Sequence, residues 1–405
     1  MAADGCYLAT RRAYHHPCKP AMSGPRSFAL HVPDAILVDL RERLERVRWP
    51  DEPPHGAAWE YGTDLNYLRQ LVAYWRDRFD WRAQEARLNE FPQYTAPVAG
   101  LDLHFLHVPG VGPEPLPLLL SHGWPGSVWE FHKVIPMLTD PARFGGDTAD
   151  AFTVVAPSLP GYTLSFRASQ PRFGVPEIAR AFAELMRDVL GYTRFAAQGG
   201  DWGSFISAYL GLTEPEHVIG IHLNLIPLRR EPPSGPTADD PDLVTYRAEL
   251  DHWLREETGY SSIQGTKPQT LAYALSDSPV GLAAWIVEKF HTWSDCQGEV
   301  EQRFSKDDLL TNIMLYWVTG AIGSSFWPYY ARQHGGWPLP ADRRVEVPTA
   351  YQSFPKDILH PPRSLAERAF NIQRWTTSPG GGHFAALEEP KRLVEDVRAF
   401  FRWLR

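Results

Sequence analysis

The stretch QGGDWGSF, Gln198 to Phe205, decides how this chain is read. It follows a short β-rich run, RFAAQ, and precedes a helix-like segment. Small residues at Gly199, Gly200 and Gly203 permit a sharp strand-to-helix turn and close packing of its two arms. Such a turn lifts its middle side chain above the sheet edge and beside a helix N-terminus, a position that favours negative charge. The slot that often holds serine holds Asp201. A carboxylate there is either a solvated turn residue or a nucleophile that needs no base to ionise it, since Asp has a pKa of about 3.9.

Working outward, the flanking pattern is that of a mostly parallel sheet covered on both faces. LDLHFLHV, LPLLLSHG, FTVVAPSLPG, RFAAQGG and VIGIHLNL read as strands, with helical stretches such as EIARAFAELMRDVLG between some of them. The near-continuous apolar run LPLLL fits a central strand. VPTAYQSF and AFNIQRW resume the pattern near the C-terminus, and KRLVEDVRAFFRWL closes it as an amphipathic helix.

Two segments fall outside that rhythm. Residues 27–96 begin with helices: VPDAILVDLRERLERVRW puts Ile36, Leu40, Leu44 and Val47 on one face, and LNYLRQLVAYWRDRF follows. FDWRAQEARLNEFPQYTAPVAG then leads out of the segment. Residues 228–345 start with the Pro- and Asp-rich linker PPSGPTADDPD and continue as helices. Ser278-Pro279 reads as an N-cap with proline at the first helical position, and Ser305 with Asp308 as a capping-box-like start. The expected division is a leader over 1–26, an N-terminal helical segment over 27–96, a core over 97–227 and 346–405, and a helical insertion over 228–345.

Composition limits the partners. Of 405 residues 43% are hydrophobic and 22% charged, an ordinary globular balance, and 15 Trp suit an apolar pocket or a thick core. A net charge of −8 argues against nucleic acid or an anionic membrane. Three cysteines without metal spacing argue against a disulfide framework. With no signal-like or membrane-spanning apolar run, the expectation is a cytoplasmic protein without a membrane anchor. Its Arg-, Ala- and Pro-rich usage points to a GC-rich bacterial genome. Neither a metal cluster nor a phosphate-binding glycine loop occurs, so no cofactor is expected. A homodimer is the default assembly.

Three further stretches carry chemistry. SHGWPGS, Ser121 to Ser127, ends the central strand, where the backbone N–H groups of Trp124 and Trp202 can form an oxyanion hole. Losing one such donor costs about 3–4 kcal/mol of transition-state stabilisation. His122 reads as structural. SPGGGHFAALEEP presents His383 after three glycines and before the last helix, as a general base is presented. His291, His334 and His360 lack that presentation. VPTAYQSFPKDILHPP offers Asp357 after its strand to orient His383, whereas Asp342 and Glu346 precede the strand. An aspartate nucleophile suits an sp³ carbon bearing a strained oxygen or a halide, giving an alkyl ester that His383-activated water then cleaves. The tryptophan indoles keep the halide option open.

HGWPGS, PSLPGYT, GGDWGS, LSDSPVGLAAWIVEKF, DDLLTNIMLYW and GGHFAALEEP together resemble the epoxide hydrolases of the α/β-hydrolase superfamily, in the microsomal-type branch with an N-terminal extension. The resemblance spans about residues 28–403. It implies an α/β-hydrolase core sheet with an inserted helical cap and an N-terminal helical segment that wraps both. It also implies two cap tyrosines that grip the epoxide oxygen, matching Tyr260 in TGYSSIQGTKP and Tyr329 in GSSFWPYY, with Tyr330 adjacent. Membrane-bound members carry an N-terminal anchor, and vertebrate members have Glu where Asp357 stands. The expected activity is conversion of an apolar or aromatic epoxide to a vicinal diol, in detoxification or natural-product biosynthesis. The alternatives are a haloalkane dehalogenase-like hydrolase and a non-catalytic ligand-binding scaffold.

Overall fold

The protein is described by a computed structural model covering residues 24–228, 241–340 and 342–405. Nine strands form one sheet: β1 (Arg26–Phe28), β2 (Gln93–Val98), β3 (Leu101–Val108), β4 (Leu116–Ser121), β5 (Phe152–Pro157), β6 (Phe195–Gly199), β7 (Val218–Leu223), β8 (Val345–Ser353) and β9 (Phe370–Thr377). Their spatial order is β1-β2-β3-β5-β4-β6-β7-β8-β9. The pairs from β5 through β9 are parallel, and those joining β1, β2, β3 and β5 are antiparallel.

The run LPLLL is central, as its lack of polar alternation requires: β4 lies between β5 and β6. Leu119 turns to one face and joins a core with Ile178, Phe182 and Ile206, while Leu118 and Leu120 turn to the other, with Val394, Val397 and Phe400. Both faces are dry because helices cover both. Each such leucine contributes about 1.5–3 kcal/mol by leaving water.

Parallel strands have a chemical consequence. The C-terminal ends of β4, β6, β8 and β9 lie on one sheet edge, so the loops carrying Trp124, Asp201, Asp357 and His383 converge there although 259 positions separate the first from the last (383 minus 124).

The first two N-terminal helices form over Asp34–Glu45 and Leu65–Asp77, with Leu40, Leu44, Leu68, Leu71 and Val72 buried; the first ends before Val47, which its periodicity includes. The region after them differs from the sequence reading. FDWRAQEARLNEF contains a third helix, Trp81–Asn89, capped by the Asp80 side chain on the Ala83 N–H. QYTAPV is β2, so the boundary set at residue 96 falls inside a strand that the N-terminal segment shares with the core. Pro97 disguised it, since proline breaks most ladders. It is tolerated because β1 pairs only with Gln93 to Thr95, and Pro97 lies beyond that partner. Of the leader set at 1–26, residues 1–23 lie outside the described residues, and Arg26 already belongs to β1.

Most of the linker PPSGPTADDPD also lies outside the described residues; its last two residues, Pro241 and Asp242, open the helix Pro241–His252. Further helices follow over Gly259–Thr266, Pro268–Asp277, Pro279–Thr292, Lys306–Thr319 and Trp327–Gly335. Ser278 accepts from the Gly281 N–H at 2.9 Å and Ser305 from the Asp308 N–H at 3.0 Å, as their positions predict. The Asp308 carboxylate turns not to its own cap but to His132 and Lys133, both at 3.5 Å. Among the described residues no single helix is long and apolar enough to cross a membrane.

Candidate active site

Asp201 opens the helix Asp201–Thr213 with φ +43°, a left-handed conformation that costs a non-glycine residue about 1–3 kcal/mol. The elbow holds it there by close packing. A Cβ on Gly203 would sit 1.8 Å from the Ser121 carbonyl oxygen, and one on Gly199 2.2 Å from the Gly203 backbone. Only glycine lets β4, β6 and the helix approach so closely.

The Asp201 carboxylate has two defined neighbours. Its Oδ1 accepts the Trp124 N–H at 2.7 Å, and its Oδ2 lies 3.5 Å from His383 Nε2. The turn that aims the Trp124 N–H is tied down by the helix Lys306–Thr319. Asn312 Nδ2 donates to the Pro125 carbonyl at 2.8 Å and the Tyr316 hydroxyl to that of Gly126 at 2.7 Å. His122 is structural, as read from the sequence. Its Nδ1 donates to the Gly123 carbonyl, its Nε2 accepts the Leu159 N–H, and burial lowers its pKa to about 4. Trp202 follows Asp201 in the first helical turn, its ring 4.8 Å from that of Tyr329.

His383 is buried. Its Nδ1 pairs with Asp357 Oδ1 at 2.7 Å, and its backbone N–H donates to the Trp293 carbonyl at 2.8 Å. Glu388 braces the loop by accepting the N–H groups of Phe384 and Asp295. Burial pulls the imidazole pKa down, but the charge of Asp357 and hydrogen bonds to Asp201 and Asp357 outweigh it and raise it to about 10. The two carboxylates thus favour the protonated form of His383.

The rival histidines lie elsewhere. His291 stacks on Trp59, His334 on Tyr330, and His360 pairs with Glu249. Glu346 lies within β8 rather than before it and pairs with Arg344 at the surface, and Asp342 is exposed.

Opposite Asp201, the cap contributes both tyrosines. Tyr260 and Tyr329 line one cleft with Asp201 and Trp202, their rings 5.6 Å apart. Tyr260 stacks on Trp124 at 5.3 Å. The Tyr329 hydroxyl is buried with no hydrogen-bond partner, and burial lifts its pKa well above the usual phenol value. It is a donor with nothing to donate to. Tyr330 stacks instead on Trp327 and His334. The cleft continues along Phe205, Leu225, Ile226 and Leu359.

Sequence reasoning passed over Glu130. It stands on the turn after β4, facing a second hollow that includes Asp201 and His383. The available signal was a single carboxylate inside the apolar run SVWEF.

The arrangement joins a carboxylate at the elbow, a proton carrier oriented by a second carboxylate, backbone N–H donors and phenol donors. It can attack an electrophilic carbon, protonate the leaving oxygen and hydrolyse the resulting ester.

Comparison with known proteins agrees in kind. The family model for the epoxide hydrolase N terminus matches residues 25–131, and that for the alpha/beta hydrolase fold matches 117–390. A "Putative epoxide hydrolase" of Stigmatella aurantiaca is 42% identical over 94% of this chain and 86% of its own. "Epoxide hydrolase 1" of Oryctolagus cuniculus is 39% identical over 93% and 88%. The solved structure of Aspergillus niger epoxide hydrolase superposes with a TM-score of 0.84 at 30% identity, covering 95% of this chain and 97% of that one. The chain belongs to the microsomal-type epoxide hydrolases, enzymes of the α/β-hydrolase fold that carry a characteristic N-terminal region.

Proposed function

We propose that the enzyme converts an apolar epoxide to a vicinal diol through an alkyl ester on Asp201. The observation that carries this reading is the placement of Asp201 between the Trp124 N–H and His383 Nε2, facing two tyrosines across one cleft. Asp201 Oδ2 attacks a ring carbon, the C–O bond breaks, and the departing alkoxide takes a proton from Tyr260 or Tyr329. The imidazolium proton of His383 then restores the phenol, directly or through solvent.

Alkylation itself readies the second half-reaction. Asp201 holds a proton on His383 through both a hydrogen bond and its charge. Esterification removes that charge, so the imidazole becomes a neutral base when water must be deprotonated. Asp357 keeps the proton on Nδ1 and leaves Nε2 free to accept one. Water adds to the Asp201 carbonyl carbon, and the Trp124 and Trp202 N–H groups stabilise the oxyanion. Collapse expels the diol alkoxide, which takes the proton from His383, and the Asp201 carboxyl then gives its remaining proton to His383 to restore the starting pair. The Phe205, Leu225, Ile226 and Leu359 lining supports an aliphatic or aromatic substituent on the epoxide.

The test is diol formation from styrene oxide by wild type, Asp201→Ala and His383→Gln. Wild type makes diol, Asp201→Ala makes none, and His383→Gln gains the mass of one epoxide and stalls. Equal diol from Asp201→Ala would refute the mechanism.

A further inference from the structure

Two hollows meet at Asp201, the one residue common to their linings. The first is the apolar cleft with the tyrosines. The second lies on the core side and presents Glu130, His383, Gln198 and Asn224. An epoxide with an apolar substituent fits the first, whereas the second suits water. Gln198 and Asn224 bond each other there at 2.9 Å.

Glu130 is placed to serve that second hollow. It sits deep in the molecule yet retains accessible surface, which faces this space. Its carboxyl lies close to the Ser127 backbone N–H and has lone pairs to spare for another donor. Room for it is made by Gly126, where a Cβ would fall 1.3 Å from Glu130 Oε1. No salt-bridge partner closes on Glu130 among the described residues, so it is not the strut of an ion pair. It is near enough to Asp201 and His383 for both charges to act on it, and burial lifts its pKa to about 8.

We propose that Glu130 holds the hydrolytic water in this hollow, between His383 and the Asp201 ester, so that the two substrates reach the carboxylate from opposite sides. This rests on the ester mechanism above. One water proton goes to His383 Nε2, while the other O–H donates to a Glu130 carboxyl oxygen and stays on the water oxygen. That oxygen bonds to the Asp201 carbonyl carbon. The ester C–O bond then breaks toward the diol, whose alkoxide takes the proton from His383, and the proton left on the new Asp201 carboxyl passes to His383 Nε2, restoring the starting pair. Glu130 itself is unchanged over the cycle.

Glu130→Gln tests this by stopped-flow tryptophan fluorescence and quenched-flow intact mass, with styrene oxide and His383→Gln as reference. Alkylation is expected within about twofold of wild type. Ester hydrolysis is expected to slow about 2–10-fold, as for weakening of one neutral hydrogen bond, so the alkyl-enzyme accumulates. Glu130→Asp, which keeps the acid on a shorter stem, is expected to fall between. Hydrolysis at the wild-type rate in Glu130→Gln overturns the proposal. So does an equal fall in both steps, which marks a structural strut. If neither wild type nor His383→Gln ever carries the alkyl mass, the ester mechanism itself fails and this inference with it.

Discussion

Replacing Asp357 by Asn separates orientation of His383 from its electrostatic support. Asp357 Oδ1 accepts both His383 Nδ1–H and the Ile358 N–H, each at 2.7 Å, while Oδ2 is buried without a partner. An asparagine amide therefore has one good orientation. Its oxygen keeps the two donors, and its NH₂ enters the partnerless side. The flipped amide would set donor against donor twice. The Nδ1–H tautomer survives, and what is lost is the negative charge that does most to offset the burial penalty on His383. A hydrogen bond to a charged group is worth about 1.5–3 kcal/mol, so the imidazolium formed during hydrolysis loses about that much. At 1.36 kcal/mol per decade, ester hydrolysis slows about 10–150-fold. Alkylation, which in the proposed mechanism uses Asp201 and the tyrosines, changes less than about threefold by the same reasoning. Single-turnover stopped flow with styrene oxide resolves the two phases. Unchanged hydrolysis, or an equal loss in alkylation, would refute the assigned role of Asp357.

Tyr260→Phe and Tyr329→Phe each remove one phenol donor, so alkylation should slow about 10-fold or more in either and far more in the double variant, with ester hydrolysis unchanged in a quenched-flow assay. Gly203→Ala drives a methyl group into the Ser121 carbonyl and should destabilise the fold by about 1–3 kcal/mol or more, read as a lower denaturation midpoint. The His360–Glu249 pair joins the cap to the loop of Asp357. Burial lowers the His360 pKa, but Glu249 raises it on balance to about 9, above the unfolded value of about 6.5. Its stabilisation is complete below pH 6.5 or so and fades as pH rises through about 9. The Tm gap between wild type and His360→Gln should therefore be widest near pH 6 and narrowest above pH 9, as scanning calorimetry across that range would show.

Much of this site was legible because its residues sit on turns. Asp201, Trp124 and His383 follow strands and are announced by glycine or proline, whose backbone demands leave a mark in the sequence. The strand-end position of Asp357 depended on recognising two strands, and both patterns were plain. Tyr260 and Tyr329 were legible only by resemblance, since nothing in a helix says which ring faces a cleft. Glu130 and its hollow were not legible at all. The hollow exists because the turn after β4, the end of β6 and the loop after β9 are stacked by sheet order, which no local pattern encodes. The miss at β2 has a different cause. A proline inside a strand is a local warning, and it was overruled by where a neighbouring strand of three residues stops.

The N-terminal segment also reaches the cap. Thr63 Oγ1 donates to the Ala284 carbonyl, Tyr74 Oη to Asp307, and Arg43 to Asp277, while β1 and β2 extend the core sheet. A cap held only where its chain leaves and rejoins the sheet could swing like a hinged cover. This one is fastened along its flank by a belt woven into the sheet below it. Traffic of epoxide and diol must then depend on fluctuations of side chains around a standing frame, and severing the belt should loosen cap and catalytic loops together.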